Sequence, residues 1–281
     1  MFVIKNIKEL RKTLKSSQQA INFVPTMGNL HQGHLDLVSY ANTLPGLTVV
    51  SIFVNPLQFD QQKDLDAYPR TIEEDKEKLI NCGCDVLFLP TVDEVYPGGT
   101  ADCLSQTIVS VAKLSARWEG ECRPGHFDGM ATIVVKLFQM VQPDVAIFGQ
   151  KDFQQLQIIR QFVKDLCIPV DIIQQPITRE SDGLAMSSRN SRLNAHFRAL
   201  APKLFEQLSM VADGLEWPVY NQRRQQAIEQ LSEHGFEVEY FALVDRDTLE
   251  PVIGRTNNTI LLAAAKLGGV RLIDNIMVED S

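Results

Sequence analysis

The chain has 281 residues, 44% of them hydrophobic and 22% charged, with a formal net charge of −8 at pH 7. That length suits two domains, and the composition is ordinary for a globular protein. No apolar run approaches the roughly 20 residues of a membrane-spanning helix, and the acidic balance excludes the broad basic face of a general nucleic-acid binder, so membrane and nucleic acid are not expected partners.

The opening stretch MFVIKNIKELRKTLKSSQQ spaces its apolar residues for an amphipathic helix and spreads its lysines along it, unlike a signal peptide. INFVP (21–25) reads as a buried strand and HQGHLDLVSYANTL (31–44) as a helix. TVVSIFVN (48–55) is a second strand, apolar on both faces, and TIEEDKEKLINCG (71–83) a helix closed by Gly83. DVLFLP (85–90) is a third strand, GMATIVVKLFQMVQ (129–142) a largely apolar helix, and DVAIFG (144–149) a fourth strand. DFQQLQIIRQFVKDL (152–166) is again helical, and IPVDIIQQP (168–176) gives a fifth strand. Apolar strands alternating with helices indicate a parallel sheet covered on both sides, with ligands at the carboxyl ends of its strands.

After a boundary near 176 the pattern changes. A Ser- and Gly-rich loop (181–193) precedes helical patterns at 195–213 and 221–234, then strand-like segments at 238–245, 258–267 and 270–279. The expected fold is α/β: a parallel-sheet domain over 1–176 and a smaller α+β domain over 177–281. Five cysteines (Cys82, Cys84, Cys103, Cys122 and Cys167) are an odd number in a long chain, which favours reduced thiols and a cytoplasmic location. The spacing Cys82-x-Cys84 is not that of a zinc or redox motif and reads as structural.

PTMGNLHQGH (25–34) carries two histidines three residues apart. Three readings are open. A helical zinc pair is usually spaced i, i+4 and needs further ligands, which this segment lacks. A helix start capped by Asn29 is the plain structural reading. It leaves Gly33 unexplained, since glycine weakens a first turn. The third is an anion cradle, in which free N–H groups, the helix dipole and two imidazoles face a phosphate. The H-x-G-H quartet resembles the HIGH motif of nucleotidylyltransferases and class I aminoacyl-tRNA synthetases.

Further polar groups stand at strand ends. Lys151 follows a strand and opens a helix that carries Gln154, Gln155 and Gln157, while Asp152 suits an N-cap. Ser187, Ser188 and Arg189 in DGLAMSSRNSRL supply hydroxyls and a guanidinium fork. That stretch resembles the mobile KMSKS phosphate loop; an interdomain linker is the plain alternative. Gln58 in FVNPLQF, Arg70 in AYPRT, and Arg123 and His126 in ECRPGHF add weaker signals.

In this order, PTMGNLHQGH, VSIFVNPLQF, YPRT, RPGHF, GQKDFQQLQIIR and DGLAMSSRN closely resemble the pantothenate synthetase (pantoate–beta-alanine ligase) family, over nearly the whole chain. The resemblance implies a Rossmann-like amino-terminal domain, a carboxy-terminal lid domain and a homodimer. It implies an ATP-dependent condensation of (R)-pantoate with beta-alanine to pantothenate, AMP and pyrophosphate. By the same resemblance Met27, Gly28, Asn29, Leu30, His31, Gln32, Gly33 and His34 line the ATP site, with His34 the proton donor. Gln58 and Gln155 hold pantoate, and Gln58 also lies near beta-alanine. Gly149, Gln150, Lys151 and Asp152 contact ATP, with Lys151 on its phosphates. Thr178 offers backbone to adenine, and Met186, Ser187, Ser188 and Arg189 form a closing phosphate loop.

His31, His34, Lys151 and Arg189 are the expected catalytic cations and donors. Mg²⁺ is expected with ATP. Glu74 or Asp75 could reach it through water, but a solvated helix face accounts for both. Gln150 departs from the Glu more common in the family, which is expected to alter fine positioning and not the activity. The alternative is a nucleotidylyltransferase that moves AMP onto a phosphate acceptor; it does not require Gln58 together with Gln155.

Overall fold

A computed structural model describes residues 1–59, 62–97, 107–213, 215, 219–252 and 258–278. Cys103 and the last residue of the expected final strand, Glu279, lie outside them. Along the chain run β1 (Phe2–Ile4), α1 (Ile7–Ser17), β2 (Ile21–Thr26), α2 (Gln32–Ala41), β3 (Leu47–Ile52), α3 (Gln62–Asp66), α4 (Ile72–Asn81) and β4 (Val86–Phe88). Next come α5 (Val92–Val95), α6 (Ala112–Ser115), α7 (Glu119–Cys122), α8 (His126–Val141), β5 (Val145–Gly149), α9 (Phe153–Asp165) and β6 (Asp171–Gln175). Then follow α10 (Ala195–Leu200), α11 (Lys203–Ala212), α12 (Tyr220–Glu233), β7 (Phe236–Asp245), β8 (Thr259–Leu267) and β9 (Val270–Val278). The chain forms two compact units. One comprises Met1–Ala116, Arg123–Gly149 and Gln155–Gln175; the other Arg117–Cys122, Gln150–Gln154 and Pro176–Ser281.

The first unit holds a six-stranded parallel sheet in the order β1-β4-β3-β2-β5-β6. Its central strands are covered on both faces, as their unbroken apolar runs require. Val24, Val50 and Ile147 pack against Leu30, Val38, Ala41 and Leu79. Phe23 meets Phe138, which also touches Phe148 and Phe162. Burying each such side chain contributes about 1.5–3 kcal/mol. Strand order reverses at β2, with β3, β4 and β1 to one side and β5 and β6 to the other. The carboxyl ends of β2 and β5 therefore flank the switch point where such sheets bind ligands.

The amino terminus departs from the sequence reading. Phe2–Ile4 is an edge strand, and helix begins only at Ile7, where Asn6 accepts from the Glu9 amide. Three residues with exposed Phe2 and Val3 give no alternating pattern, so the helical period of the following segment masks the strand.

The second unit is built on an antiparallel sheet ordered β7-β8-β9. Leu204, Leu208, Leu231, Phe241, Leu261, Ala263 and Leu272 belong to its core. The helical pattern over 195–213 is two helices, α10 and α11, which meet at Pro202. Proline has no N–H to continue the first helix but is well placed at the start of the second.

Candidate active site

The loop after β2 is held from α4. Asp75, fully buried on that helix, accepts the main-chain N–H groups of Asn29 and Leu30, both at 2.8 Å. One turn on, Lys78 Nζ donates to the Leu30 carbonyl at 2.8 Å, and Thr71 Oγ1 lies 3.4 Å from Asn29 Oδ1. Thr71, Asp75 and Lys78 are spaced to share one helix face. Gly28 has φ +81°, and a β-carbon there would lie 2.9 Å from Ile52 Cγ2 and 3.1 Å from Asp75 Oδ2. Only glycine allows this approach without strain. The loop is thus a fixed cradle, but the amides of Asn29 and Leu30 are already committed to Asp75.

That cradle delivers the two histidines. The N-cap of α2 is His31, not Asn29, which adopts φ 49° earlier in the loop. The His31 and His34 rings lie 4.1 Å apart between centroids, tilted by 41°. The His31 amide points at His34 Nδ1 at 3.4 Å. An amide N–H only donates, so a neutral His34 in this arrangement carries its proton on Nε2. The first helical amides, of Gln32 and Gly33, have no hydrogen-bond partner among the described residues. Unsatisfied N–H groups at a helix start, with a polarised imidazole beside them, suit a phosphate.

Gln58 is oriented by a chain of buried groups. Asn55 Nδ2 donates to the Gly129 carbonyl at 3.0 Å, which fixes its amide, and to Gln58 Oε1 at 3.2 Å. Tyr96 OH then donates to Asn55 Oδ1 at 2.8 Å. Gln58 Nε2 is left facing the Met27 thioether at 2.9 Å, a weak acceptor that a ligand oxygen outcompetes. The Gln58 carbonyl accepts from His126 Nδ1 at 2.7 Å, and Arg123 Nη1 lies 3.2 Å from His126 Nε2. A carbonyl accepts only and a guanidinium donates only, so His126 is a neutral imidazole with its proton on Nδ1. Gly129 lets α8 press on this turn: a β-carbon there would come within 2.2 Å of the Leu57 carbonyl oxygen. Arg70 donates to the carbonyls of Tyr68 and, in α3, Leu65.

In the second unit, Lys151 sits in a 3-10 turn, Gln150–Asp152, with its Nζ 3.7 Å from Asp152 Oδ2. Asn275 of β9 donates to the carbonyls of Gln150 and Lys151, both at 3.0 Å. Arg179 pairs twice with Asp274, at 2.7 and 2.9 Å, and its guanidinium lies 3.6 Å over the Phe205 ring. Burial pushes the Asp274 carboxyl above its ordinary range, against the pull of Arg179. The Thr178 carbonyl accepts from the Met186 amide at 3.0 Å, closing a short hairpin. The following turn is ordered by Ser187 Oγ, which accepts from the Arg189 amide at 3.2 Å, and by Asn190 Nδ2 on the Ala185 carbonyl. Met186–Arg189 is therefore a structured turn and not a loose linker.

The sequence matches the pantoate-beta-alanine ligase family over residues 2–277. The chain belongs to that family. A pantothenate synthetase of Pseudomonas fluorescens (strain Pf0-1) is 48% identical over 284 residues, covering 98% of this chain and 97% of its own. One from Marinobacter nauticus is 47% identical, with 99% of each covered. The crystal structure of pantothenate synthetase from Thermus thermophilus is similar with a TM-score of 0.91 at 41% identity, covering 100% of both chains. The Francisella tularensis ligase, solved with beta-gamma ATP and beta-alanine, gives 0.84 at 34% identity, covering 100% of this chain and 99% of its own. The activity of this ligase is the ATP-dependent condensation of pantoate with beta-alanine.

Three buried polar groups that hold these segments escape the sequence reading. Asp75 reads there as solvated face, yet it is the buried anchor of the loop; its i, i+4 relation to Leu79 is the available signal. Tyr96 and Asn275 carry no sequence signal that tells a buried, hydrogen-bonded group from an exposed one. Gln155 is half-buried in the first turn of α9, while its neighbour Gln154 clamps the Arg117 carbonyl and the Glu119 amide. Among the described residues, no cluster of three or more His, Cys, Asp or Glu side chains could hold a metal ion, and no helix is long and apolar enough to cross a membrane.

Proposed function

We propose that the ligase works through a pantoyl adenylate. The carboxylate of (R)-pantoate attacks the α-phosphorus of ATP, and the bond to the leaving pyrophosphate breaks. The beta-alanine amine then attacks the acyl carbon, loses a proton and displaces AMP. Two anions must meet in the first step, so catalysis is positioning plus stabilisation of phosphoryl charge. His34 Nε2–H and the amides of Gln32 and Gly33 serve the phosphate oxygens, with His31 beside them. Lys151, Ser187, Ser188 and Arg189 are assigned to the remaining phosphates. Met27–Leu30, Gly149, Gln150, Asp152, Thr178 and Met186 are assigned to ATP by main chain and packing.

Gln58 and Gln155 are assigned to pantoate, and Gln58 to beta-alanine as well. The observations that carry this reading are the anchored histidine loop and Gln58, whose Nε2 is oriented through Asn55 yet engaged only by the Met27 thioether. Mg²⁺ is assigned as a companion of ATP, screening its triphosphate, on the family resemblance; Asp75 is spent on main-chain amides. A homodimer and a cytoplasmic location complete the proposal, on the family resemblance alone; light scattering of the purified chain tests the first. The mechanism is tested by single turnover with ATP labelled at the α-phosphate. Pantoate alone should release pyrophosphate and leave a bound acyl adenylate, and beta-alanine should then release AMP. Transfer of AMP to a phosphate-ester acceptor, with no pantoate dependence, would favour a nucleotidylyltransferase instead.

A further inference from the structure

Asn275 is 2% exposed, and its carboxamide is engaged with the turn that carries Lys151. Its Nδ2 donates to two successive carbonyls, Gln150 and Lys151, and its Oδ1 accepts from Gln150 Nε2 at 3.0 Å. One side chain therefore fixes the main chain on both sides of the Lys151 α-carbon and the neighbouring side chain as well. Its own backbone amide donates to Asp274 Oδ1 at 2.7 Å. That same carboxylate holds Arg179, which also donates to the Gly183 carbonyl at 3.0 Å, in the turn of the hairpin leading into Met186–Arg189. Two adjacent residues of β9 thus set the register of two segments that lie far apart in sequence.

We propose that Asn275 is a positioning residue for Lys151 in the adenylation step. This rests on the assignment of Lys151 to the ATP phosphates. A lysine ammonium at the end of four methylenes is placed mainly by where its backbone starts, and a shift of about 1 Å at a reacting group can cost roughly a hundredfold in rate. Gln150 takes part directly: its amide supplies the donor that Asn275 Oδ1 accepts, so the turn is locked from both sides. Glutamate at 150 could not supply that donor.

The test uses the full chain and separates the two half-reactions. Asn275→Ala should slow pantoate-dependent pyrophosphate release in single turnover at least tenfold. It should leave AMP release from synthetic pantoyl adenylate plus beta-alanine within twofold of wild type. In a Lys151→Ala background the same substitution should slow adenylation less than twofold further, because residues that act through one another do not add. Asn275→Ser retains one hydroxyl donor and should recover part of the rate; it carries the same cycle if the alanine variant does not fold. Equal slowing of both half-reactions, or full additivity with Lys151→Ala, assigns Asn275 to stability alone and overturns the proposal. Wild type without pantoate-dependent pyrophosphate release sinks the adenylation reading and this role with it. An active wild type with an unchanged Asn275→Ala sinks only this role.

Discussion

Replacing Asp75 with Asn is the most direct probe of the histidine loop. The carboxylate accepts two main-chain amides at 2.8 Å, one buried and one partly buried, and a carboxamide has only one oxygen for them. Its NH₂ group would then face a second N–H, leaving a buried donor without an acceptor. Losing a hydrogen bond to a charged group costs about 1.5–3 kcal/mol, and the orphaned donor about 1–3 kcal/mol. These overlap, so roughly 3 kcal/mol is expected. At about 2–4 °C per kcal/mol for a unit of this size, the unfolding temperature should fall by roughly 6–12 °C. The loop would also shift, and the two imidazoles with it, so pantoate-dependent pyrophosphate release should drop by one to two orders of magnitude. Calorimetry and single-turnover kinetics read the two effects, with Glu74→Gln on the exposed side of the same helix as the control. An Asp75→Asn protein that melts and turns over like wild type would refute the anchoring role.

Other consequences are open to measurement. Tyr96→Phe removes the donor to Asn55 Oδ1, so the KM for pantoate should rise several-fold while that for ATP holds; an equal rise in both contradicts the orienting chain. Burial raises the Glu239 carboxyl, but Lys266 and Arg271 pull harder and hold it below its ordinary value of 4.5. The folded state therefore binds that proton less readily than the unfolded one. Its stabilisation is present above about pH 4.5 and is lost as pH falls through the lower folded value. Urea titrations from neutral pH down through the carboxylate range should show a shallower acid loss for Glu239→Gln, and an unchanged slope counts against the pairing. Burial pushes the Cys84 thiol up to about 12, so it stays protonated at neutral pH. Iodoacetamide under mildly alkaline conditions should label the exposed Cys167 and spare Cys84 in the native protein; equal labelling contradicts that burial.

The parallel sheet is legible in the sequence because β2, β3 and β5 are apolar on both faces, which few other folds require. Boundaries are less so. The helix expected from Gly129 begins at His126, since Gly125 at φ +81° turns the chain into it and only tertiary packing decides where. Candidates for the site are legible where residue type announces them, as with His31, His34, Gln58 and Lys151. What holds those residues is not. Asp75 follows Glu73 and Glu74 in sequence, and nothing but its helical phase separates a buried anchor from two solvated neighbours. Asn275 follows Asp274 in a strand of mixed character, where a polar residue reads as an exposed position until its partners are known.

Three stretches separated along the chain make up the second unit, and their bonds are specific. The Trp118 indole N–H donates to the Leu249 carbonyl at 2.9 Å, Glu119 pairs with Arg271, and Gln150 exchanges hydrogen bonds with Asn275. Its carboxy-terminal part is therefore not a cassette that relatives can trade by a single crossover after residue 175. A hybrid that imports only the tail must still match tryptophan, glutamate and glutamine supplied by the recipient. Productive chimeras should be those in which 117–122 and 150–154 travel with the tail.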